Sequence, residues 1–252
     1  DELNLRKDEA KVLVPMLETY IRMLTFVGTS TVYFSRQTFP QMLTLYYSGK
    51  IRERGFPTRL RNSLYYIGER FNFDRKHAER VSGFALKMFD KLKELHSLSS
   101  RERLLLEAGA ILHDIGYYID AKKHHEHSYY IVNTINIPGL DKDYVRLLSF
   151  IVLMHRLDLT DEMESKFMYL SVESQLLVKK LVSILRLADA LDTSHTQLIT
   201  DFDVLIEKKR VVIKAGTIKV PYYEKIAFDA KKNLFTETFG IPAELETRIM
   251  YE

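Results

Sequence analysis

The stretch LLLEAGAILHDIG, residues 104–116, decides the fold, because it joins a strongly apolar helix to a His–Asp pair at its end. Ser99 or Ser100 can cap this helix, and Gly116 ends it. An ionised carboxylate such as Asp114 is costly at the core-facing end of an apolar helix unless an opposite charge compensates it. A divalent cation would compensate it directly, so the stretch predicts a metal ligand inside a helical domain.

Two further helices are predicted to point polar side chains at the same interior. His77 precedes Val81 by four residues, which places it on the apolar face of its own helix. Asp189 follows Leu185 by four residues and lies on the inward face of a helix over 172–191. One metal site is therefore predicted from these separate helices, with the ligands His77, His113, Asp114 and Asp189.

Cysteine is absent from the chain, which excludes disulfides, zinc–thiolate sites and thiol nucleophiles. Any metal must be held by histidine and carboxylate, and eight histidines are available. Such nitrogen and oxygen ligands suit a divalent Mn, Mg, Fe, Co, Ni or Zn ion.

A second metal site is a further hypothesis. His124 begins a cluster with His125 and His127, and His155 ends the apolar face of another predicted helix. If His124 and His155 bind a second ion, Asp114 bridges the two ions across the reacting phosphoryl group. The basic residues close to these histidines in sequence are candidates to neutralise phosphate oxygens, namely Lys122, Lys123 and Arg156.

Each of these residues also has a purely structural interpretation. A single inward histidine is more often a hydrogen-bonded core residue, and the cluster over 124–127 alone is more typical of an exposed polar turn. Asp192 is expected to bond main chain or an arginine at its helix end. The joint pattern favours metal binding, because a histidine, a His–Asp pair and a later aspartate all fall on inward faces.

The composition is that of an ordinary globular protein, with 252 residues of which 46% are hydrophobic and 28% charged. No apolar run reaches membrane-spanning length and no leader opens the chain, so we expect a cytoplasmic protein without a membrane partner. The net charge of +3 indicates no specific nucleic-acid partner. The chain opens on Asp1 rather than Met, so a fragment of a longer protein is an open alternative.

The predicted fold class is mainly α, with a helical bundle between two smaller segments. A short α/β segment over 1–50 contains a helix over 8–27, a strand over 31–34 and a helix from Pro40. A basic loop over 49–60 then leads into the helical domain, assigned to 51–200. A small α+β subdomain over 201–252 follows, with strands at 203–207, 210–214 and 245–250 and a helix at 223–239.

The motifs also resemble a known family. The order His77, His113–Asp114, Asp189, with the last inside LRLADALD, resembles the HD phosphohydrolase superfamily. HDIGYYID, HHEHSYYIVN and LMHR are more closely similar to the HD-like C-terminal region of the exopolyphosphatase / guanosine pentaphosphate phosphohydrolase family. Residues 8–50 resemble the closing segment of that family's actin-like ATPase-fold domain, and the tail after residue 200 resembles the end of its longer members.

The resemblance implies an HD-like bundle that hydrolyses phosphoanhydride or phosphoester bonds, with polyphosphate or a guanosine polyphosphate as substrate. In that family, however, phosphate release is attributed to N-terminal domains with glycine-rich phosphate loops, and this chain has no such loop. The alternative is therefore a non-catalytic polyphosphate-binding and dimerisation module, whose cationic surface includes Arg52, Arg54, Arg59 and Arg61. A homodimer is left open under both hypotheses.

Overall fold

The computed structural model describes residues 7–29, 56–156 and 160–250 of the chain. The chain divides into two compact units, Asp1–Arg54 and Gly55–Glu252. In the first unit, helix α1 (Lys7–Val27) confirms the helix predicted over 8–27, and Gly28 follows it with a positive φ of 71°. The strand and helix predicted over 31–47 lie outside the described residues.

The second unit is helical through its first two thirds. Its helices up to residue 190 are α2 (Phe56–Arg70), α3 (Arg75–Lys91), α4 (Lys93–His96), α5 (Ser100–Leu112), α6 (His124–Thr134), α7 (Lys142–Met154), α8 (Asp161–Met168) and α9 (Val172–Ala190), with a short 3-10 helix at Ile115–Tyr118.

Two predicted boundaries differ from the structure. Part of the loop predicted over 49–60 is helical, because α2 begins at Phe56. Pro57 then lies in the first turn, where a helix needs no proline N–H. Helix α5 begins after Ser99, whose side chain and that of Glu102 form a capping box, but it ends at Leu112 rather than near Gly116 because the chain tightens into the 3-10 turn.

A three-stranded sheet follows the helices. Strand β1 (Ile199–Ile206) pairs antiparallel with β2 (Val211–Thr217), and β2 pairs parallel with β3 (Ala243–Ile249). The hairpin and the final strand were both predicted. The helix predicted over 223–239 is two helices, α10 (Tyr222–Lys231) and α11 (Asn233–Phe239).

One continuous hydrophobic core joins the helices of the second unit to the sheet. Leu181 and Leu185 of α9 belong to the same buried cluster as Phe202 of β1, Phe228 of α10 and Phe235 of α11. Among the described helices, none is both long enough and apolar enough to cross a membrane. The mainly α fold class with a small α+β end is confirmed, whereas the domain boundary near residue 200 stays a prediction.

Candidate metal centre

Three histidines of the second unit present the same ring nitrogen to one interior point. In each, Nδ1 bonds the main-chain carbonyl three residues earlier: His113 with Ala110 at 2.9 Å, His124 with Ala121 at 2.8 Å and His155 with Val152 at 2.6 Å. A carbonyl oxygen only accepts hydrogen bonds, so Nδ1 carries the proton and donates it. The lone pair of Nε2 is therefore left facing the interior, which is the tautomer that metal-binding histidines use.

The carboxylate of Asp114 lies at the middle of these imidazoles. Its Oδ1 is 3.3 Å from Nε2 of His124 and 3.4 Å from Nε2 of His155. Its Oδ2 is 3.4 Å from Nε2 of His113 and 3.7 Å from Nε2 of His77. Two groups that could each hold an ion therefore share this residue, one formed with His77 and His113 and the other with His124 and His155.

His77 reaches the centre from the first turn of α3, which Asp74 caps by accepting a hydrogen bond from the His77 main-chain N–H. Its Nδ1 lies 2.9 Å from Oδ2 of Asp192. Burial opposes a charge on this imidazole, but the adjacent carboxylates of Asp189 and Asp192 outweigh it and raise the pKa of His77 to about 10. Asp192 accepts a main-chain hydrogen bond from Gln197, as expected, and its other oxygen orients His77, which the sequence did not predict.

Asp189, near the end of α9, faces the centre with one oxygen only. Its Oδ1 is 3.5 Å from Nε2 of His77 and 3.9 Å from Nε2 of His113. Its Oδ2 accepts a hydrogen bond from the ammonium of Lys231, on α10. Burial works against the charge on this carboxyl, but the Lys231 ammonium and the surrounding histidines together outweigh burial and hold the pKa of Asp189 well below its usual value. Nothing in the sequence around Lys231 marks it for this position.

The Nε2 atoms of His113, His124 and His155 have no proton with which to form hydrogen bonds to one another. Burial lowers the pKa of His113 and of His124 to about 4, so both rings are neutral at pH 7. Nε2 of His124 lies 3.0 Å from Nε2 of His155, and the Nδ1 protons of both rings are already bonded to carbonyls. Within the described residues, Nε2 of His77 and of His113 is buried without a hydrogen bond. Lone pairs converging on a carboxylate in this way fit a divalent cation.

The histidine cluster over 124–127 is a helix rather than an exposed polar turn, which corrects the structural interpretation of this stretch. It opens α6, with His124 and His125 buried and His127 only partly exposed. Ser128 ties the helix to the His–Asp turn, because its hydroxyl donates to the His113 carbonyl at 2.6 Å and accepts from the Gly116 N–H at 2.9 Å.

Two of the predicted phosphate-binding residues, Lys122 and Arg156, lie beside the group formed by Asp114, His124 and His155, which we call the His124 half of the centre. The guanidinium of Arg156 donates to the main-chain carbonyl of Lys122 at 3.3 Å, and both residues are exposed. Tyr117 stacks on the His124 ring with centroids 3.9 Å apart and keeps about half of its surface exposed. These three residues form a rim, which we call the cationic rim.

Arg61, one of the basic residues assigned to a polyanion surface, has a structural partner. It forms an ion pair with Glu107, a carboxylate that is buried in α5. Burying a carboxylate is costly without a partner, so Arg61 supports the packing of α2 on α5. Arg52 and Arg54 lie outside the described residues.

Two residues that the sequence did not single out support the centre. Arg186 of α9 is buried and donates to the carbonyls of Met154 and Arg156, which flank His155. His195 stacks on the ring of His77 with centroids 3.8 Å apart. Both contacts join residues far apart in sequence, so local spacing carries no signal for them.

The fold and the site together define a helical domain with a buried histidine–carboxylate centre. Residues 60–228 match the family described as Ppx/GppA phosphatase, domain III. The match covers more than half of the chain, which therefore belongs to this family, as the sequence motifs predicted.

Curated relatives carry the name guanosine-5'-triphosphate,3'-diphosphate pyrophosphatase. The protein from Aeromonas hydrophila is 38% identical over 88 residues, which are 34% of this chain and 18% of that protein. The one from Photobacterium profundum is 33% identical over 98 residues, 39% of this chain and 20% of the relative. The one from Pseudoalteromonas atlantica is 31% identical over 158 residues, 60% of this chain and 30% of the relative. This chain thus matches less than a third of the length of each.

Proposed function

We propose that this chain is a divalent-metal-dependent phosphohydrolase domain of the HD type, which hydrolyses phosphoanhydride or phosphoester bonds in polyphosphate or a guanosine polyphosphate. The observation that carries the proposal is the sharing of Asp114 between two ligand groups, in which the Nε2 atoms of His113, His124 and His155 bear no proton. The family and the names of the relatives support phosphoanhydrides as the substrate class.

In this proposal, His77, His113, Asp114 and Asp189 hold one ion, and Asp114, His124 and His155 hold a second. A divalent ion in such a site supplies Lewis acidity, which lowers the pKa of water and polarises a phosphoryl oxygen. Lys122 and Arg156 bind the charged phosphate oxygens at the cationic rim. Asp114 has one oxygen facing each half of the centre, so it would be a ligand to both ions.

The test compares metal content and hydrolysis in the unmodified chain and in Asp114→Ala, purified without chelators. We expect stoichiometric divalent metal in the unmodified chain, and loss of both metal and activity by roughly 100-fold or more in the variant. Polyphosphate, guanosine pentaphosphate and a generic phosphoester serve as substrates. His127→Ala is the matched control, because this partly exposed histidine lies one turn after His124 on α6 and should change neither quantity. Equal metal content in the unmodified chain and in Asp114→Ala would contradict the proposal.

A second candidate is a module that binds polyphosphate without cleaving it. The observation that favours it is the matched length, which is only 18% to 30% of each relative, so the hydrolytic site of those proteins can lie elsewhere. It predicts salt-sensitive polyphosphate binding that His113→Ala leaves unchanged and Arg54→Ala weakens. Arg61 is unsuitable for this test, because its substitution leaves buried Glu107 without its ion-pair partner.

A further inference from the structure

The two halves of the centre differ in how closely their ligand atoms are spaced. Two metal bonds of about 2.1 Å, at angles between right and tetrahedral, place ligand atoms about 3.0 to 3.4 Å apart. In the His124 half, the three separations among Asp114, His124 and His155 are 3.0, 3.3 and 3.4 Å. In this half, the ligand atoms are already as far apart as they would be around a bound ion.

The other half is wider. The separations from Nε2 of His77 are 3.7 Å to Asp114 and 3.5 Å to Asp189, and those from Nε2 of His113 are 3.4 Å and 3.9 Å to the same carboxylates. An ion that binds there at such angles must draw these ligand atoms together. This movement makes ion binding less favourable than in the His124 half, where no such movement is needed.

The wider half also contains a cation of its own. The ammonium of Lys231 donates to Oδ2 of Asp189, and the side chains of these residues are 16% and 9% exposed. In the described part of the chain, Asp114 forms ion pairs only with imidazoles, so no lysine or arginine neutralises the His124 half by direct contact. An ion entering the wider half is repelled by Lys231 at close range and in a poorly solvated place.

The helix that carries Lys231 holds it in position. Glu224 lies two turns earlier on the same face of α10 and is fully buried. It accepts hydrogen bonds from the main-chain N–H and the hydroxyl of Ser194, in the segment that follows α9. This second attachment fixes α10 against the end of α9, so Lys231 is not a freely swinging surface side chain.

We propose that the centre binds its two ions with unequal affinity, and that Lys231 sets the difference. The ion held by Asp114, His124 and His155 is tight. The ion held by His77, His113, Asp114 and Asp189 is weak, because Lys231 already neutralises Asp189. Lys231 is thus a positioning residue, through which the C-terminal part of the chain controls how many ions the centre holds. This inference rests on the metal centre of the proposed function.

The experiment is a titration of the metal-free chain with Mn²⁺, followed by calorimetry and by the spin-resonance signal of the free ion. We expect one tight site and a second at least about tenfold weaker. In Lys231→Met, the second site tightens roughly tenfold or more and the first changes little, because the repelling charge is gone. Lys231→Arg keeps the charge and should retain the two unequal affinities.

Thermal unfolding gives a readout that does not depend on activity. Metal-free Lys231→Met leaves Asp189 buried without its partner, so its midpoint falls below that of the unmodified chain, and Mn²⁺ raises the midpoint more in the variant. Far-UV circular dichroism checks the fold. If Lys231→Met does not fold, Lys231→Gln, which keeps a hydrogen-bond donor without the charge, takes its place with the same expected tightening.

The outcomes separate the two proposals. If the second site binds Mn²⁺ more weakly or equally well in the variant without the charge, the proposed role of Lys231 is wrong. Removing a residue that only orients a metal ligand weakens metal binding, whereas removing a repelling charge strengthens it. Two equal sites in the unmodified chain overturn the inequality and leave the metal centre standing. Absence of Mn²⁺ binding in the unmodified chain overturns the proposed function itself.

Discussion

Single histidines of this chain differ in what their ring nitrogens bond, and His96 is the clearest contrast to those of the candidate metal centre. It is buried at the end of α4, with Nε2 2.8 Å from the Phe89 carbonyl and Nδ1 2.9 Å from the Leu98 main-chain N–H. Since the carbonyl must accept and the N–H must donate, only the neutral ring satisfies both contacts. His96 is therefore a structural histidine.

His96 should make the stability of the chain fall in mild acid. Burial lowers the pKa of His96 below its ordinary value of 6.5, so the unfolded chain binds a proton more readily than the folded one. The contribution of His96 is fully present above pH 6.5 and is lost as the pH falls through the folded pKa. We expect the unmodified chain to have a higher free energy of unfolding than His96→Gln, and we expect this difference, measured with urea, to be larger at pH 7.5 than at pH 5.

The control for this prediction is His127→Gln, because that residue is partly exposed. Its difference from the unmodified chain should be nearly the same at both pH values. An advantage over His96→Gln that does not change between the two pH values would show that the prediction is wrong.

At the residue scale, the sequence predicted which side chains point inward and converge, but not the outer partners that hold them. Helical spacing placed His77 and Asp189 on apolar faces, and the structure brings both to Asp114. The contact of Lys231 with Asp189 spans 42 residues and that of Asp192 with His77 spans 115. Such contacts depend on how helices pack, which local periodicity does not encode.

At the scale of elements, α6 shows where periodicity fails. The prediction missed this helix because its first turn is polar and its N-cap residue, Lys123, makes no side-chain capping hydrogen bond. The helix is held instead by its contact with the 3-10 turn. A Cβ on Gly116 would lie 2.0 Å from the His124 carbonyl oxygen and 2.5 Å from the Ser128 nitrogen, so only glycine permits this approach.

Gly116→Ala should therefore damage both the fold and the His124 half of the centre. Main-chain atoms cannot swing away as a flexible side chain can, so we expect a loss of about 1–3 kcal/mol in unfolding free energy and weaker Mn²⁺ binding. Gly83→Ala is the matched control: it lies within α3, no atom is within 4 Å of its added Cβ, and it should gain about 0.5–1 kcal/mol. Urea unfolding and Mn²⁺ titration measure both, and equal effects of the two substitutions would contradict this account.

At the scale of the whole second unit, the sequence predicts a helical domain and a separate α+β subdomain, but one hydrophobic core spans both. The composition change near residue 200 predicted a subdomain, and a sheet is present there. The side chains of that sheet and of α10 nevertheless bury themselves in the same cluster as α9. The sequence does not predict this shared core, because the apolar face of a strand or helix shows the same periodicity whether it packs within its own subdomain or against a neighbouring helix.

We expect this shared core to unfold as one cooperative unit. Native-state hydrogen exchange should give the slowest amides of β2 and of α9 the same free energy of opening, equal to that of global unfolding. A plateau for β2 well below that of α9 would mean that the sheet opens independently. Substitution of Phe228, which is buried at the junction, by leucine should lower both plateaus together.

The ends of the helices have one more consequence for the centre. Helices α5, α7 and α9 all finish at it, with His113 and His155 as C-cap residues and Asp189 in the last turn. The aligned peptide dipoles of each helix place about half a negative charge at its carboxyl end. Helices α3 and α6 begin at the centre, with His77 and His124 in their first turns, and their amino ends place opposing positive charge there. The three carboxyl ends outnumber these two amino ends, so the main chain leaves a small net attraction for cations. Under the proposed function, we expect a phosphorylated substrate to bind more tightly to the metal-loaded centre than to the metal-free one, because the carboxylates of Asp114 and Asp189 repel a bare phosphate.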